Sequence, residues 1–190
     1  MSGDNIKVMT DLFYKTDYIS PLGKITIVSD GESIAGVWLE GQKYFCNTID
    51  ESMMEYKDID ILKSAEKWLD RYFAGGKPEI AELSLNPSGN EFRQSVWKIL
   101  CEIPYGEVIT YGDIAKKIAK LQGKQRMSAQ AVGGAVGHNP ISIIIPCHRV
   151  VGSNGSLTGY AGGIETKIKL LEHEKVDMSH LFVPQHSTAQ

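Results

Sequence analysis

The chain has 190 residues, 42% of them hydrophobic and 23% charged, and a formal net charge of −3. That is ordinary globular composition, with enough apolar material for a real core and no repeats or low-complexity segments. No apolar stretch approaches the ~20 residues of a membrane-spanning helix, and the opening MSGDNIK has no signal-peptide pattern, so a cytoplasmic location is expected.

The first half reads as strands followed by a helix. LGKITIVSD (22–30) alternates apolar and polar side chains, and SIAGVWLE (33–40) follows the turn signal Ser29-Asp30-Gly31, as in a hairpin. Ile59, Ile61, Leu62, Ala65, Trp68, Leu69, Tyr72 and Phe73 recur at helical spacing, and Gly75-Gly76 supplies a stop. An α/β domain over residues 1–88, with a small antiparallel sheet covered by one amphipathic helix, is expected. The polar SLNPSGN (84–90) is the boundary signal.

Beyond it the pattern turns helical. Phe92, Val96, Trp97 and Leu100 mark a short helix that ends before Pro104-Tyr105-Gly106. Thr110 opens another, with Asp113 in a capping-box-like position and Ile114, Ala115, Ile118 and Ala119 as the buried face. After the loop KLQGKQRM, Ser128 caps SAQAVGGAVGHN. The two short helices joined by a turn resemble a helix-turn-helix, in a mainly α, winged-helix-like domain over residues 89–176. Gly133-Gly134 inside the second helix costs roughly 1 kcal/mol per glycine relative to alanine. Close approach to a nucleic-acid backbone or tight internal packing would each offset it. An apolar run, ISIII (141–145), reads as a buried strand leading to Pro146-Cys147-His148. IETKIKLLEHEK (164–175) then reads as a last helix with Ile164, Ile168 and Leu171 on one face, and residues 177–190 as a tail with a frayed end, VPQHSTAQ.

Charge is unevenly spread. Nine Lys/Arg stand against fifteen Asp/Glu through Gly89, but eleven against seven from Asn90 to Lys175. No acidic residue falls between Asp113 and Glu165, a window holding Lys116, Lys117, Lys120, Lys124, Arg126 and Arg149. Such a surface suits a polyanion; a solvated basic helix end is the plainer alternative.

The three cysteines (Cys46, Cys101, Cys147) form no CxxC pair, and no histidine precedes His138, so free thiols and no metal site are expected. Cys147 precedes His148 directly. A free cysteine with a pKa near 8.5 is only a few per cent thiolate at neutral pH, so a nucleophilic role calls for a base within reach and a third group to orient it. His148 and the later Glu174 are the candidates. Neighbouring side chains on extended backbone point apart, which favours a bridging water over direct contact. Plain packing of a buried cysteine is the competing reading.

PCHRV, preceded by AVGGAVGHNPISIII and followed by a GYAGG loop and LLEHE, resembles the O6-alkylguanine-DNA alkyltransferase family almost continuously from Phe92 to Lys175, including FRQSVWKILCEIPYGEVITYGDIA. The first 88 residues match only in general character. The resemblance implies a single-turnover DNA repair protein that moves a methyl or small alkyl group from O6-alkylguanine, with O4-alkylthymine as a second substrate, irreversibly onto Cys147. His148 and Glu174 would form, with a water, the relay that draws off the thiol proton. Tyr111 would assist the guanine leaving group, the carbonyls of Cys147 and Val150 would accept from its exocyclic amine, and Tyr160 would wall the pocket. The Ala161 N–H would donate to O6, and Asn139 would be the hinge between the DNA-binding helix and the active-site strand. Ala129, Gln130, Gly133, Gly134 and Ala135 would meet the minor groove, with Arg126 in the preceding loop. At Gln130 the family commonly has an arginine that fills the gap left by the extruded base; glutamine can hydrogen-bond but carries no charge. At Ala161 some relatives have serine, a change the backbone donor absorbs. Double-stranded DNA is the expected partner, with no cofactor, no metal and a monomeric chain. A lesion-binding module without transfer and a Cys-His hydrolase, which would need an oxyanion hole and turnover, are the rivals.

Overall fold

The computed structural model describes residues 12–185. The expected hairpin is present as β2 (Gly23–Ser29) and β3 (Ile34–Leu39), paired antiparallel from Ile25↔Leu39 to Ser29↔Ile34. A further strand, β1 (Phe13–Ser20), pairs antiparallel with β2. Its sequence FYKTDYIS is half-buried along nearly its whole length, so it lacks the clean in–out alternation that reveals a strand. A three-residue strand, β4 (Met54–Tyr56), joins β1 in parallel and gives the order β3-β2-β1-β4. The sheet is therefore mixed, and the expectation of a purely antiparallel one is corrected: residues 40–53 carry the chain across the sheet before it re-enters at the β1 edge.

The helix α1 (Asp60–Phe73) lays Leu62, Ala65, Trp68, Leu69 and Tyr72 against one face of this sheet. Val28, Ala35 and Trp38 pack on the other face with Cys46 and Ile49. Burial on both faces explains why β3 is apolar at every position and why β2 is buried from Ile25 to Ser29, the polar Thr26 and Ser29 included. The link after α1 is drawn along β3, where Ile34 N–H donates to Ser84 O and Asn86 N–H to Ile34 O.

In the second half, α2 (Glu91–Cys101) is capped by Asn90, whose side chain accepts from Arg93 N–H. The two-residue strand β5 (Ile109–Thr110) leads into α3 (Tyr111–Leu121), capped by the Thr110 hydroxyl, which accepts from Asp113 N–H and donates back to its carboxylate. Ser128 caps α4 (Ala129–Gly137) as expected. A parallel pair of β5 with β6 (Val150–Val151) and the final α5 (Ile164–His173) complete the wing-like end.

Two sequence expectations are corrected here. The ISIII run is not a strand: only Ile141 makes a bridge, to Val37 of β3, and the chain then coils so that Ile145 N–H donates to Ile141 O. All five residues are buried, and burial from every side gives an apolar run without strand geometry. Ile143 sits at φ 70°, a left-handed position rare for a β-branched residue and held by its surroundings. In α5 the buried positions are Lys167, Leu170 and Leu171, with Ile164 and Ile168 only half-buried. Of the tail, Phe182 bridges to Ser156, while the last five residues of the frayed stretch lie outside the described residues.

One apolar cluster runs through both halves. It joins Ile25, Val37, Trp68 and Tyr72 of the first to Trp97, Ile114, Val136, Ile144, Cys147 and Leu170 of the second.

Candidate active site

After Pro146 the chain makes a single 3-10 turn, Cys147–Arg149, which resolves the problem of adjacent side chains: backbone that turns rather than extends no longer sends neighbours to opposite faces. Cys147 is 4% exposed. Asn139, just past the end of α4, fixes it. The Asn139 amide donates to Cys147 Sγ at 3.2 Å and to Ile145 O at 2.9 Å, while its oxygen accepts from Ile141 N–H at 3.0 Å. The predicted hinge thus ties α4, the coil and the thiol together.

His148 is fully buried, with Nε2 2.6 Å from Glu174 Oε1. Arg149 takes the same carboxylate in a fork, Nε to Oε2 at 2.8 Å and Nη2 to Oε1 at 3.0 Å, and its Nη1 donates to Ile103 O at 2.6 Å. Gly106 N–H donates to Oε2 at 3.2 Å from a turn whose φ of 81° suits glycine. Tyr72, reaching over from α1, donates to Oε1 at 2.7 Å. Burial works against charge on Glu174, but the hydrogen bond and charge of His148 and the Arg149 guanidinium outweigh it and hold the carboxyl well below the usual range. Burial lowers the His148 imidazole, more than Glu174 raises it. The ring is therefore neutral at pH 7, its Nε2–H given to Glu174 and its Nδ1 a bare lone pair without a partner among the described residues.

Burial pushes the Cys147 thiol up, partly offset by Asn139 and the Lys167 charge, so at rest it is a thiol that needs a base. Cys46 and Cys101 are raised by burial too, Cys46 to about 11, and further by the Glu51 and Glu102 charges; each packs among apolar side chains. Lys167, fully buried, donates to Val150 O and to Thr158 O, and burial draws its ammonium down to about 8. The Tyr111 hydroxyl also donates to Thr158 O, at 3.0 Å, and burial together with the Cys147 charge pushes it up to about 12. Tyr160 is buried beside Cys147 in the core with its hydroxyl unpartnered among the described residues. Lys43 N–H of the first half donates to Ala161 O at 2.9 Å, bracing the loop that carries Tyr160.

Among the predicted contacts of the helix-turn-helix, Ala129, Gln130 and Gly134 are exposed on α4, with Gly133 half-exposed and Arg126 exposed in the loop before it. Ala135 is on the inner side, 3% exposed, its carbonyl accepting from Trp97 Nε1–H. A Cβ built on Gly134 would meet nothing within 4 Å, and one on Gly133 only the Tyr111 ring at 3.9 Å, so internal packing does not demand either glycine. Arg149 does not belong to the basic surface, since its charge is buried against Glu174. Lys116 and Lys117 pair with Asp113 and Glu102, whereas Lys120, Lys124 and Arg126 make no ion pair among the described residues. The sequence reading did not single out Tyr72 or Lys167. Lys167 left one signal, a cation at a helix position whose neighbours three and four on, Leu170 and Leu171, are core.

Fold and site together define a helix-turn-helix protein carrying a buried cysteine in the same turn as a buried histidine paired with a glutamate. The family model for the DNA binding domain of 6-O-methylguanine DNA methyltransferase matches residues 91–176, and that for its ribonuclease-like domain matches residues 13–87. The methylated-DNA--protein-cysteine methyltransferase of Haemophilus influenzae is 42% identical over 168 residues, covering 88% of this chain and 89% of its own. That of Methanosarcina barkeri is 45% identical over 157 residues, covering 82% and 93%. The crystal structure of Mycobacterium tuberculosis OGT in complex with DNA superposes with a TM-score of 0.72 at 40% identity, covering 86% of this chain and 92% of that one. The chain belongs to the 6-O-methylguanine DNA methyltransferase family.

Proposed function

We propose that this chain is a methylated-DNA--[protein]-cysteine S-methyltransferase that repairs O6-alkylguanine, and O4-alkylthymine as a second substrate, by taking the alkyl group onto Cys147. It acts once per molecule, as a monomer on double-stranded DNA in the cytoplasm. The observation that carries this reading is the buried triad: a thiol, an imidazole kept neutral, and a carboxylate that leaves Nδ1 as the free base.

The thiol proton passes through a water to Nδ1, and the imidazolium so formed is held by Glu174. Sγ attacks the alkyl carbon; the S–C bond forms as the C–O6 bond breaks, and the electron pair leaves with guanine. Proton donation at the purine edge falls to Tyr111, which exchanges Thr158 O for the base. The Val150 carbonyl, already accepting from Lys167, keeps a second lone pair for the exocyclic amine, as does that of Cys147. The Ala161 N–H serves O6. The lesion is reached by turning the nucleotide out of the duplex, at a cost of a few kcal/mol, with Gln130 beside the gap and the glycine strip of α4 against the backbone.

Incubation with duplex DNA carrying O6-methylguanine should add one methyl mass to the intact protein, mapped to Cys147. Cys147→Ala should abolish the adduct while duplex binding persists and weakens as salt rises. An adduct on any other residue overturns the assignment, and steady turnover of an ester or amide would favour a hydrolase.

A further inference from the structure

The carboxylate of Glu174 is served from three parts of the chain, and one donor comes from the half that carries none of the other groups of the site. We propose that Tyr72, on the helix of the first domain, is a positioning residue for alkyl transfer, its hydroxyl sharing Glu174 Oε1 with His148 and so setting how strongly the carboxylate holds the imidazole. The proposal rests on the alkyl-transfer reading of Cys147. Tyr72 OH to Oε1 is 2.7 Å, and His148 Nε2 to the same oxygen is 2.6 Å. The tyrosine has little freedom to leave. It is 1% exposed, stacked on Trp68 at 5.6 Å and edge-on to Phe73 at 5.2 Å and Tyr105 at 6.1 Å. Its own carbonyl accepts from His173 Nε2 at 2.7 Å, next to Glu174 in sequence. Burial and the Glu174 charge raise the phenol far above its ordinary value, so it remains a donor at every working pH.

The other groups facing the pair are Arg149 in the catalytic turn, Lys167 of α5, Tyr105 and Gly106 of the loop before β5, and Tyr160 of the loop before α5. Arg149 Nη2 also donates to Oε1, at 3.0 Å, but only the phenol reaches that oxygen from α1. A hydroxyl donating to Oε1 draws charge from the oxygen that accepts the imidazole N–H. Its loss concentrates charge there, stabilises imidazolium over imidazole and raises the pH at which His148 takes up a proton. Because the thiol proton needs neutral His148, the acid limb of the transfer rate should move to higher pH.

The test is Tyr72→Phe, which keeps the ring and removes only the hydroxyl. Single-turnover transfer from O6-methylguanine duplex is followed across the pH range, alongside an NMR titration of His148 in free protein. The expected result is an acid limb and a His148 midpoint raised by about half a unit or more. Duplex Kd and the high-pH rate should stay within about threefold, a change of about 0.65 kcal/mol. A rate lowered by one factor at all pH values with an unmoved His148 midpoint overturns the proposal and leaves Tyr72 as packing. In a Glu174→Gln background the hydroxyl should shift nothing further, and a shift that persists there also overturns it. Should wild type form no Cys147 adduct, the alkyl-transfer reading fails instead, while the NMR arm still decides whether Tyr72 controls His148.

Discussion

The two ends of the Cys147–His148–Glu174 chain are built on opposite terms. The carboxylate end is saturated: His148, Arg149, Tyr72 and Gly106 all donate to Glu174. The imidazole end is bare, with His148 Nδ1 buried and unpartnered among the described residues, as is the Tyr160 hydroxyl. Buried polar atoms are nearly always paired; Trp38 Nε1 and Thr48 Oγ1 are unpartnered as well, so what marks Nδ1 for reaction is its place on the ring that Glu174 holds, in the turn that carries the thiol. The saturated end supplies orientation and stability, and the bare end supplies chemistry. Substitutions at the two ends should therefore fail in different ways.

The largest effect is expected at Glu174. Glu174→Ala leaves Nε and Nη2 of Arg149, the Tyr72 hydroxyl and the His148 N–H without their acceptor in the interior. It should cost about 3–5 kcal/mol of unfolding free energy, read from urea denaturation. A loss below about 1 kcal/mol would break the contrast, since the carboxylate would then not be the knot of the fold. His148→Ala leaves Glu174 its other three donors, so stability should fall by only ~1–2 kcal/mol. Its transfer rate should drop by about 10²-fold or more. Quench-flow on methylated duplex checks this, and a near-normal rate would move the base elsewhere. The smallest effect belongs to Gly134→Ala, where a methyl meets open space. It should raise stability by about 0.5–1 kcal/mol in thermal or urea unfolding and weaken duplex binding at the same time. Unchanged binding would detach α4 from the DNA surface.

Much of this was legible in the sequence, for identifiable reasons. Periodicity revealed α1 and α3 because each buries one stripe, and Thr110 and Ser128 announced helix starts through their side-chain oxygens. PCHRV and LLEHE marked thiol, imidazole and carboxylate as a set; the structure pairs His148 with Glu174 and puts Cys147 in the same turn as His148. What stayed hidden depends on contacts that no local pattern encodes. ISIII reads as a strand because uniform burial erases period, whether the backbone extends or coils. Tyr72 reads as one more apolar-stripe aromatic, and only the packing of α1 on α5 shows where its hydroxyl ends. Arg149 reads as part of a basic surface, and nothing near it in sequence reveals that it points inward. The basic residues that do face outward, Lys120, Lys124 and Arg126, differ from it only in their place in the fold.

The apolar cluster that runs unbroken from Ile25 to Leu170 has a consequence for how this chain can be damaged. This shared cluster holds most of the buried apolar side chains of both halves, with smaller clusters around Trp38 and Leu171 beside it, so heating should melt both in one cooperative step rather than two. An injury to the sheet would then reach the thiol without touching any group that handles DNA. Lost repair, in such a chain, is as readily inherited from its first eighty residues as from its last hundred.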